Sequence, residues 1–500
     1  MLNFHDPGRL LSRSFYEDYE MPLAHAFYSI NQRGVLVDAQ RLDVLRKFIL
    51  SELQSTCSNI STHFPGKGVI PSLPVKPSGK KTKQPPDTIN LSSPDQIIDA
   101  LKSLGIKPPK KRRAGGAYTE STNEESLNEL FAETGHPALK DILRVRELNK
   151  LLGTYVNAQL EANILYGAYF VTGTVTGRRS CRENFLGLGN NHQNQPKHSD
   201  LGKKYRECLV ARPGHIFINC DQVQAEDWIV QGTIVDNGGS DAGLQELLNG
   251  VDRHRKLASF IFSKPEDLCG KDTPERFMGK KTRHAGNYDM QAFRFACEMA
   301  KEGYIVSEQH CEFLLERFHA YDSGIRQIYH KWVQSQLNTT RTLTTPFGRV
   351  RQFLALRDFT DNRKVFKEGY AQNPQSTVGD NTGMTILWFE TYHPGYVVMD
   401  GHDAVVLEVP DTINDITSAI SWLQEGFDRI IRFPNGLKIN IPTEVELGYD
   451  LKNMKKCADF SSTGLSHTRD LLNKPPSHLD TSISGVPLPQ SQLHSNVTYG

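Results

Sequence analysis

Tyr396-Val397-Val398-Met399-Asp400-Gly401-His402-Asp403-Ala404-Val405-Val406-Leu407-Glu408-Val409 reads as two apolar runs folded about Asp-Gly, a strong signal for a tight hairpin turn. The hairpin accounts for the glycine. It does not account for His402 and Asp403 beside the turn of an otherwise apolar pair of strands. Upstream, Asp221 closes a second apolar run, His215-Ile216-Phe217-Ile218-Asn219-Cys220. An aspartate at a strand end is most often a turn or cap residue. Two carboxylates converging from separate strands, however, present rigid oxygen ligands suited to a pair of hard divalent cations.

Between these runs lies Thr273-Pro274-Glu275-Arg276-Phe277-Met278-Gly279-Lys280-Lys281-Thr282-Arg283-His284-Ala285-Gly286-Asn287-Tyr288. Arg276, Lys280, His284 and Tyr288 recur every fourth position, and each step drifts only about 40° around a helix, so they share one face, joined by Arg283. A solvated basic face is the plain alternative. Against it, Gly279 and Gly286 each cost a helix ~1 kcal/mol relative to Ala, which suggests a close approach to the backbone. Tyr288 ends the stripe as a base-stacking platform would. A basic helix facing two metal-binding carboxylates is the outline of phosphoryl transfer.

The remainder of the chain sets bounds. Its 500 residues imply two to four subdomains, and 58 basic against 57 acidic residues give a net charge of +1 that points to no partner class. Cys57, Cys181, Cys208, Cys220, Cys269, Cys297, Cys311 and Cys457 form neither a CxxC nor a zinc spacing, which suits reduced thiols and a cytoplasmic setting. No apolar run approaches the ~18–20 residues of a membrane span, and the start lacks a signal-peptide core, so no membrane partner is expected.

Helical spacing runs over Glu20 to Ala26 and Leu42 to Leu53, around a short strand at Gly34–Asp38. Residues 64–88, rich in Pro, Gly, Ser and Lys, read as a flexible insert. A helix is expected to start at Ser92-Ser93-Pro94-Asp95-Gln96, with a serine cap and Pro in the first turn, and another to open at Thr122-Asn123-Glu124-Glu125. Between them, residues 107–117 read as a basic loop holding Lys110, Lys111, Arg112 and Arg113. Strand-rich sequence is expected over about 165–235, helices over 252–340 and near 376–392, and a disordered tail from 460.

At this point the motifs resemble family A DNA polymerases, the bacterial DNA polymerase I type, and suggest a viral or phage-like branch. Asp221-Gln222-Val223-Gln224-Ala225-Glu226 is similar to the first palm motif, DYSQIE. Arg276-x3-Lys280-x3-His284-x3-Tyr288 resembles the fingers pattern R-x3-K-x3-[FY]-x3-Y, and His402-Asp403 the catalytic HD. Thr176-Gly177-Arg178-Arg179-Ser180, Gln375-Ser376-Thr377-Val378-Gly379-Asp380 and Thr345-Pro346-Phe347-Gly348-Arg349-Val350-Arg351 resemble three further family elements in order. Asn90–Pro94 and the basic loop leading to Ser121–Glu125 resemble the thumb. The likeness runs from about Tyr19 to Lys456.

The resemblance implies an α+β, right-hand architecture of helical thumb, antiparallel-sheet palm and helical fingers. Its expected divisions are 1–45 as a lead-in, 46–160 thumb, 161–250 palm, 251–340 fingers, 341–459 the second part of the palm, and 460–500 tail. It implies a DNA-directed DNA polymerase, a nucleotidyltransferase for viral or phage DNA replication, acting on primer-template DNA and dNTPs with two Mg²⁺ ions (Mn²⁺ as a substitute). Asp221 and Asp403 would hold the metals. Arg276 and Lys280 would contact the β- and γ-phosphates, with Lys280 as a candidate general acid. His254, in Val251-Asp252-Arg253-His254, would lie near the triphosphate. Glu226 would be the steric gate against a ribose 2′-hydroxyl, and Tyr288, with His284 on the same face, would stack near the templating pair. Arg178 and Gln375 would read minor-groove acceptors, and His402 would lie by the primer terminus. Arg349 and the basic cluster Lys110, Lys111, Arg112 and Arg113 are candidate DNA contacts.

Several departures bear on these expectations. Ala404 replaces the glutamate of the family's His-Asp-Glu, His284 replaces Phe or Tyr, and Asp289 replaces a glycine. Tyr19–Leu23 resembles the segment just before the family thumb, so synthesis without intrinsic 3′–5′ proofreading is expected, with a separate exonuclease as a candidate partner. Three rival readings stand beside the polymerase: a single-subunit RNA polymerase relative, a catalytically lapsed primer-template binder suggested by Ala404, and a role for residues 64–88 in docking a processivity factor.

Overall fold

The structure, a computed structural model, describes residues 2–73, 82–112, 118–197, 199–302, 304, 306–354 and 362–472. It is α+β and divides into two compact units: residues 1–39, 159–290 and 314–500 form the first, and 40–158 with 291–313 the second. The expected basic residue Arg113 lies outside the described residues, as do residues 74–81 of the 64–88 insert and the chain beyond 472.

The first unit is built on a five-stranded antiparallel sheet. Its strands are β1 (His215–Gln222), β2 (Val397–Asp400), β3 (Ala404–Pro410), β4 (Thr443–Gly448) and β5 (Lys455–Cys457), in the order β2-β3-β1-β4-β5. Pleat parity decides which residues reach the core. Cys220 pairs with Val405 and Val445, and Ile218 with Leu407 and Leu447, so these six share one face and are buried. Two helices, α1 (Arg363–Tyr392) and α2 (Ile413–Phe427), supply Val378, Met384, Ile416 and Leu423 to the same core. By the same parity Asp221, paired with Ala404 and Glu444, projects from the opposite face.

Helix α1 is longer than the sequence pattern foretells and contains Pro374. A proline cannot donate to the carbonyl four residues back. The Tyr329 hydroxyl donates to that carbonyl, on Tyr370, so the break in the ladder leaves no orphan there. Polar residues on α1 also grip the sheet: Asn381 Nδ2 donates to Gln222 Oε1 at 2.6 Å, and Gln222 Nε2 to Thr382 Oγ1 at 2.8 Å.

Three expectations are corrected. The chain does not lose structure at 460: Ser461 caps a helix over Ser462–Asp470, whose Leu465 is fully buried in the core. In the second unit, Gly68–Ile70 and Thr88–Asn90 pair as parallel strands at the two ends of the expected insert. Lys110–Arg112 is a strand paired with Tyr118–Glu120, not a loop. That unit otherwise consists of helices over Ala39–Ser61, Pro94–Ser103, Glu124–Thr134, Pro137–Lys150 and Ala292–Lys301, around a core that includes Leu53, Ile97, Leu139, Ile142 and Val145. Asn123 caps its third helix by accepting from Ser126 N at 2.8 Å. Residues 291–313, expected with the fingers, pack in this unit, where Arg294 pairs with Glu125.

Candidate active site

Asp221 and Asp403 meet where β1 and β3 end. Asp221 lies opposite Ala404 in the ladder, and Gln222 N donates to the Asp403 carbonyl at 3.1 Å, which fixes the turn against the strand. Asp400 ends β2, and Gly401 N closes the hairpin on the Ala404 carbonyl at 2.8 Å. The left-handed residue is His402, with φ 77°, not the glycine. Its N–H donates to Asp400 Oδ1 at 2.9 Å. A non-glycine residue held in that region marks a turn fixed by its surroundings. The result is that Asp403 faces outward, while Asp400, three residues earlier, is buried against Arg179.

The two carboxylates open onto a cleft of about 380 Å³ that Glu226, His254, Lys280 and His284 also line. Crowding by the protein behind them raises both carboxyl pKa values, and for Asp221 the Asp403 charge adds to that; the Lys197 cation pulls both the other way. Neither aspartate side chain has an ion pair among the described residues. Each therefore presents oxygen lone pairs to whatever enters the cleft, and the repulsion between them is relieved by a cation.

Three helices bring the opposing wall: α3 (Ala225–Asp236), α4 (Arg253–Phe262) and α5 (Pro274–Asn287). Thr273 caps α5 by accepting from Arg276 N at 3.2 Å, with Pro274 in the first turn. Lys280 and His284 are exposed on the cleft side, and Lys280 has no ion pair among the described residues. His284 lies edge-on to Tyr288, ring centroids 5.1 Å apart. The Tyr288 hydroxyl donates to Glu226, and Arg178 Nη2 donates to the other oxygen of that carboxylate at 2.5 Å. Glu226 is thus clamped from two sides, one of them the fingers-like helix and the other the Thr176–Ser180 element.

Gly279 and Gly286 are explained by protein, not ligand. A Cβ at Gly279 would lie 2.6 Å from the His254 carbonyl, and one at Gly286 would lie 2.1 Å from the Phe318 ring. They allow α4 and Phe318 to pack tightly on α5. Arg283 also leaves the basic stripe. It is buried, with Nη1 3.4 Å from Asp227 and 3.5 Å from Asp322, beside Arg253, which pairs with the same two carboxylates and with Glu246. This network ties α3, α4 and α5 together beneath the cleft.

Other expected site residues fall elsewhere. Arg276 is engaged by Asp252, Nε to Oδ2 at 2.6 Å. Arg349, expected at DNA, is instead taken up by Asp380 and Glu20, with its guanidinium 4.6 Å from the Phe15 ring. Gln375 sits half-buried on α1. In the second unit Lys110 is exposed, while Lys111 pairs with Glu129 at 2.7 Å. Two residues at the site were missed. Lys197 had no motif to mark it. Asp252 stands two positions before His254 in an element already noted, and a helix N-cap signal could have singled it out.

Comparison with known proteins places the fold and the family. In its fold the chain is similar to a solved structure, the POL domain of Pol1 from M. smegmatis in complex with DNA primer-template and dNTP, with a TM-score of 0.68 at 20% identity, over 88% of this chain and 71% of that one. The family model for DNA polymerase family A matches residues 78–453, and the chain belongs to that family. Its curated relatives include DNA polymerase I, thermostable, of Thermus filiformis (24% identical, covering 87% of this chain and 47% of the relative). DNA polymerase I of Mycobacterium bovis is likewise 24% identical, over 88% of this chain and 45% of its own. The chain thus spans about half the length of the curated relatives it matches. No helix among the described residues is long and apolar enough to cross a membrane.

Proposed function

We propose that this chain is a DNA-directed DNA polymerase that extends a primer 3′ end with deoxynucleotides. The observation that carries the reading is the cleft itself: two carboxylates without an ion pair among the described residues, set opposite an exposed lysine on a helix of family A pattern. In this reading the five-stranded sheet is the palm, residues 251–290 and 314–340 belong to the fingers, and the second unit contains the thumb.

The primer 3′-hydroxyl attacks the α-phosphorus of the bound dNTP. A new P–O bond forms, the bond from the α-phosphorus to the bridging oxygen of the β-phosphate breaks, the hydroxyl proton passes to solvent water, and pyrophosphate departs. Asp221 and Asp403 form an all-oxygen donor pair that fits Mg²⁺, with Mn²⁺ as a substitute; two such ions supply charge neutralisation at the phosphates and a more acidic primer hydroxyl. Lys280 reaches the β- and γ-phosphates and donates a proton to pyrophosphate as it leaves. Arg276 and His254 add contacts to the triphosphate. Glu226, clamped by Arg178 and Tyr288, cannot swing aside for a ribose 2′-hydroxyl, which selects deoxynucleotides and argues against an RNA polymerase. His284 and Tyr288 offer ring faces to the base, Arg178 and Gln375 read the minor groove, and His402 lies at the primer end.

A second reading, a primer-template binder that has lost catalysis, is favoured by Ala404 alone, which leaves the cleft one carboxylate short of the family pattern. Primer extension on a primed DNA template with Mg²⁺ or Mn²⁺ separates the two. Templated extension that is lost in Asp221→Ala and Asp403→Ala supports the polymerase. Tight primer-template binding without extension at any metal concentration supports the binder.

A further inference from the structure

Arg276 shares a helix with Lys280 but does not line the cleft, and a carboxylate already holds it. Asp252 uses its two oxygens separately. Oδ1 accepts from His254 N and Arg255 N, both at 3.1 Å, and so caps α4. Oδ2 takes Arg276 Nε at 2.6 Å. The pair is open to solvent only in part, 18% for Arg276 and 35% for Asp252.

The carboxylate is held in place from three directions. Gln224, left-handed at φ 50°, donates from Nε2 to the Val251 carbonyl at 3.0 Å and accepts from Arg253 N at 3.1 Å, so the turn before α4 is fixed on both sides of Asp252. Arg253, the next residue, is anchored in the buried network with Asp227 and Asp322. The close approach of the His254 carbonyl to Gly279 sets α4 against the helix that carries Arg276. Asp252 therefore stays where it is, and the long, partly exposed Arg276 side chain is the member free to move.

We infer that Asp252 is a positioning residue that competes with the triphosphate for Arg276. The inference rests on the reading of Arg276 as a phosphate ligand. A triphosphate carries more negative charge than one carboxylate and offers a guanidinium several oxygens, so it can take Arg276 over. The cost of leaving Asp252 is subtracted from the affinity of every nucleotide. When pyrophosphate leaves, Asp252 recovers the arginine, which favours product release. Ligands with less phosphate charge are held off more effectively, so the pair weights selection toward triphosphates.

The test uses the chain bound to primer-template, with the next correct dNTP titrated and both its dissociation constant and the KM and kcat of extension recorded. Asp252→Asn and Asp252→Ser keep a capping oxygen for α4 while removing the charge that holds Arg276. Both are expected to bind dNTP about three- to fivefold more tightly, the range a half-exposed ion pair supports, with KM falling in step and kcat changing less. In the double variant Asp252→Asn/Arg276→Ala that gain disappears. A purely structural role for Asp252 would weaken binding instead. Asn and Ser variants that melt like the wild type but bind dNTP no more tightly overturn the inference. If Arg276→Ala alone weakens dNTP binding in that case, the reading of Arg276 survives and only the competition is lost. If Arg276→Ala leaves dNTP affinity unchanged, the phosphate role of Arg276 fails and the inference with it.

Discussion

Asp400 and Asp403 are three residues apart on one hairpin and have opposite fates. Asp400 is fully buried and grips Arg179, whose charge lowers its carboxyl pKa against the cost of burial. Asp403 faces the cleft, has no arginine, and its carboxyl is pushed upward. The same contrast holds across the first unit. Glu408 has Arg212, Asp227 has Arg253 and Asp380 has Arg349, whereas Asp221 and Asp403 have no ion pair among the described residues, only the electrostatic pull of Lys197 on both and of Arg178 on Asp403. Structural acids here are matched with arginine inside the protein. Of the acids lining the cleft, Glu226 and Asp227 have arginine partners, whereas Asp221 and Asp403 are left without an ion pair, and a cation from outside would compensate them.

The largest effect separates the two classes by activity. Asp403→Ala and Asp221→Ala are expected to reduce templated extension on the order of 10³-fold, the scale of several kcal/mol of lost charge stabilisation. Thermal melting of the same variants without metal should be unchanged or higher, because each removes half of a repulsive pair. A clear loss of melting temperature in either variant would break the comparison, since it would make the cleft acids structural as well.

The buried side of the comparison predicts the reverse signature. Arg179→Met leaves Asp400 in the interior without its cation and should destabilise the first unit by ~3–5 kcal/mol, read from denaturant unfolding. Activity should fall with the folded fraction, not ahead of it. Arg349→Met tests whether that arginine belongs with the structural set: destabilisation with little change in DNA affinity would place it there.

Acid stability gives a smaller effect with a definite sign. Burial lowers His192 from its ordinary 6.5 to about 4, its Nδ1 lying 3.3 Å from the Tyr169 hydroxyl. The folded state keeps this ring neutral, while the unfolded chain takes up a proton below 6.5. Stability is therefore intact above pH 6.5 and lost as pH falls toward 4, by about 1.4 kcal/mol per pH unit for this group. Unfolding measured between pH 7 and 4 sums this slope with those of the other buried histidines His254, His319 and His402, and His192→Gln should make the total shallower by one proton. An unchanged slope would mean that other groups dominate the acid transition.

What could be read from sequence follows the range of the interactions. Alternation in His215–Asp221 and Tyr396–Val409 is local, and it placed the sheet, the hairpin and the outward aspartates. Helix-face arithmetic placed Lys280 and His284 together. It misjudged Arg283, one position off the stripe, because the acids that draw it inward, Asp227 and Asp322, come from other helices. Arg179 and Asp400 are 221 residues apart, and Arg212 and Glu408 are 196 apart. No local pattern says which arginine will find which acid, and for that reason Arg349 read as a DNA contact. The expected tail failed for a related reason: a single buried Leu465 is enough to dock a polar helix, and polarity alone concealed it.

The smallest expected effect concerns the missing carboxylate. Ala404 is buried at the strand end and shares the face of Asp221, so a longer acidic side chain there points toward the cleft. Ala404→Glu adds a third oxygen ligand where charge is already unmatched. If the cleft acids are compensated by metal, the Mg²⁺ concentration for half-maximal extension should fall by roughly three- to tenfold, since affinity for such ions follows ligand charge and number. The rate at saturating Mg²⁺ should change little. The same variant without metal should be less stable, because a third like charge joins a repulsive pair, and added Mg²⁺ should restore the melting temperature. A metal requirement that rises instead would mean that two aspartates already complete the donor set, and that alanine at 404 relieves crowding between the strands.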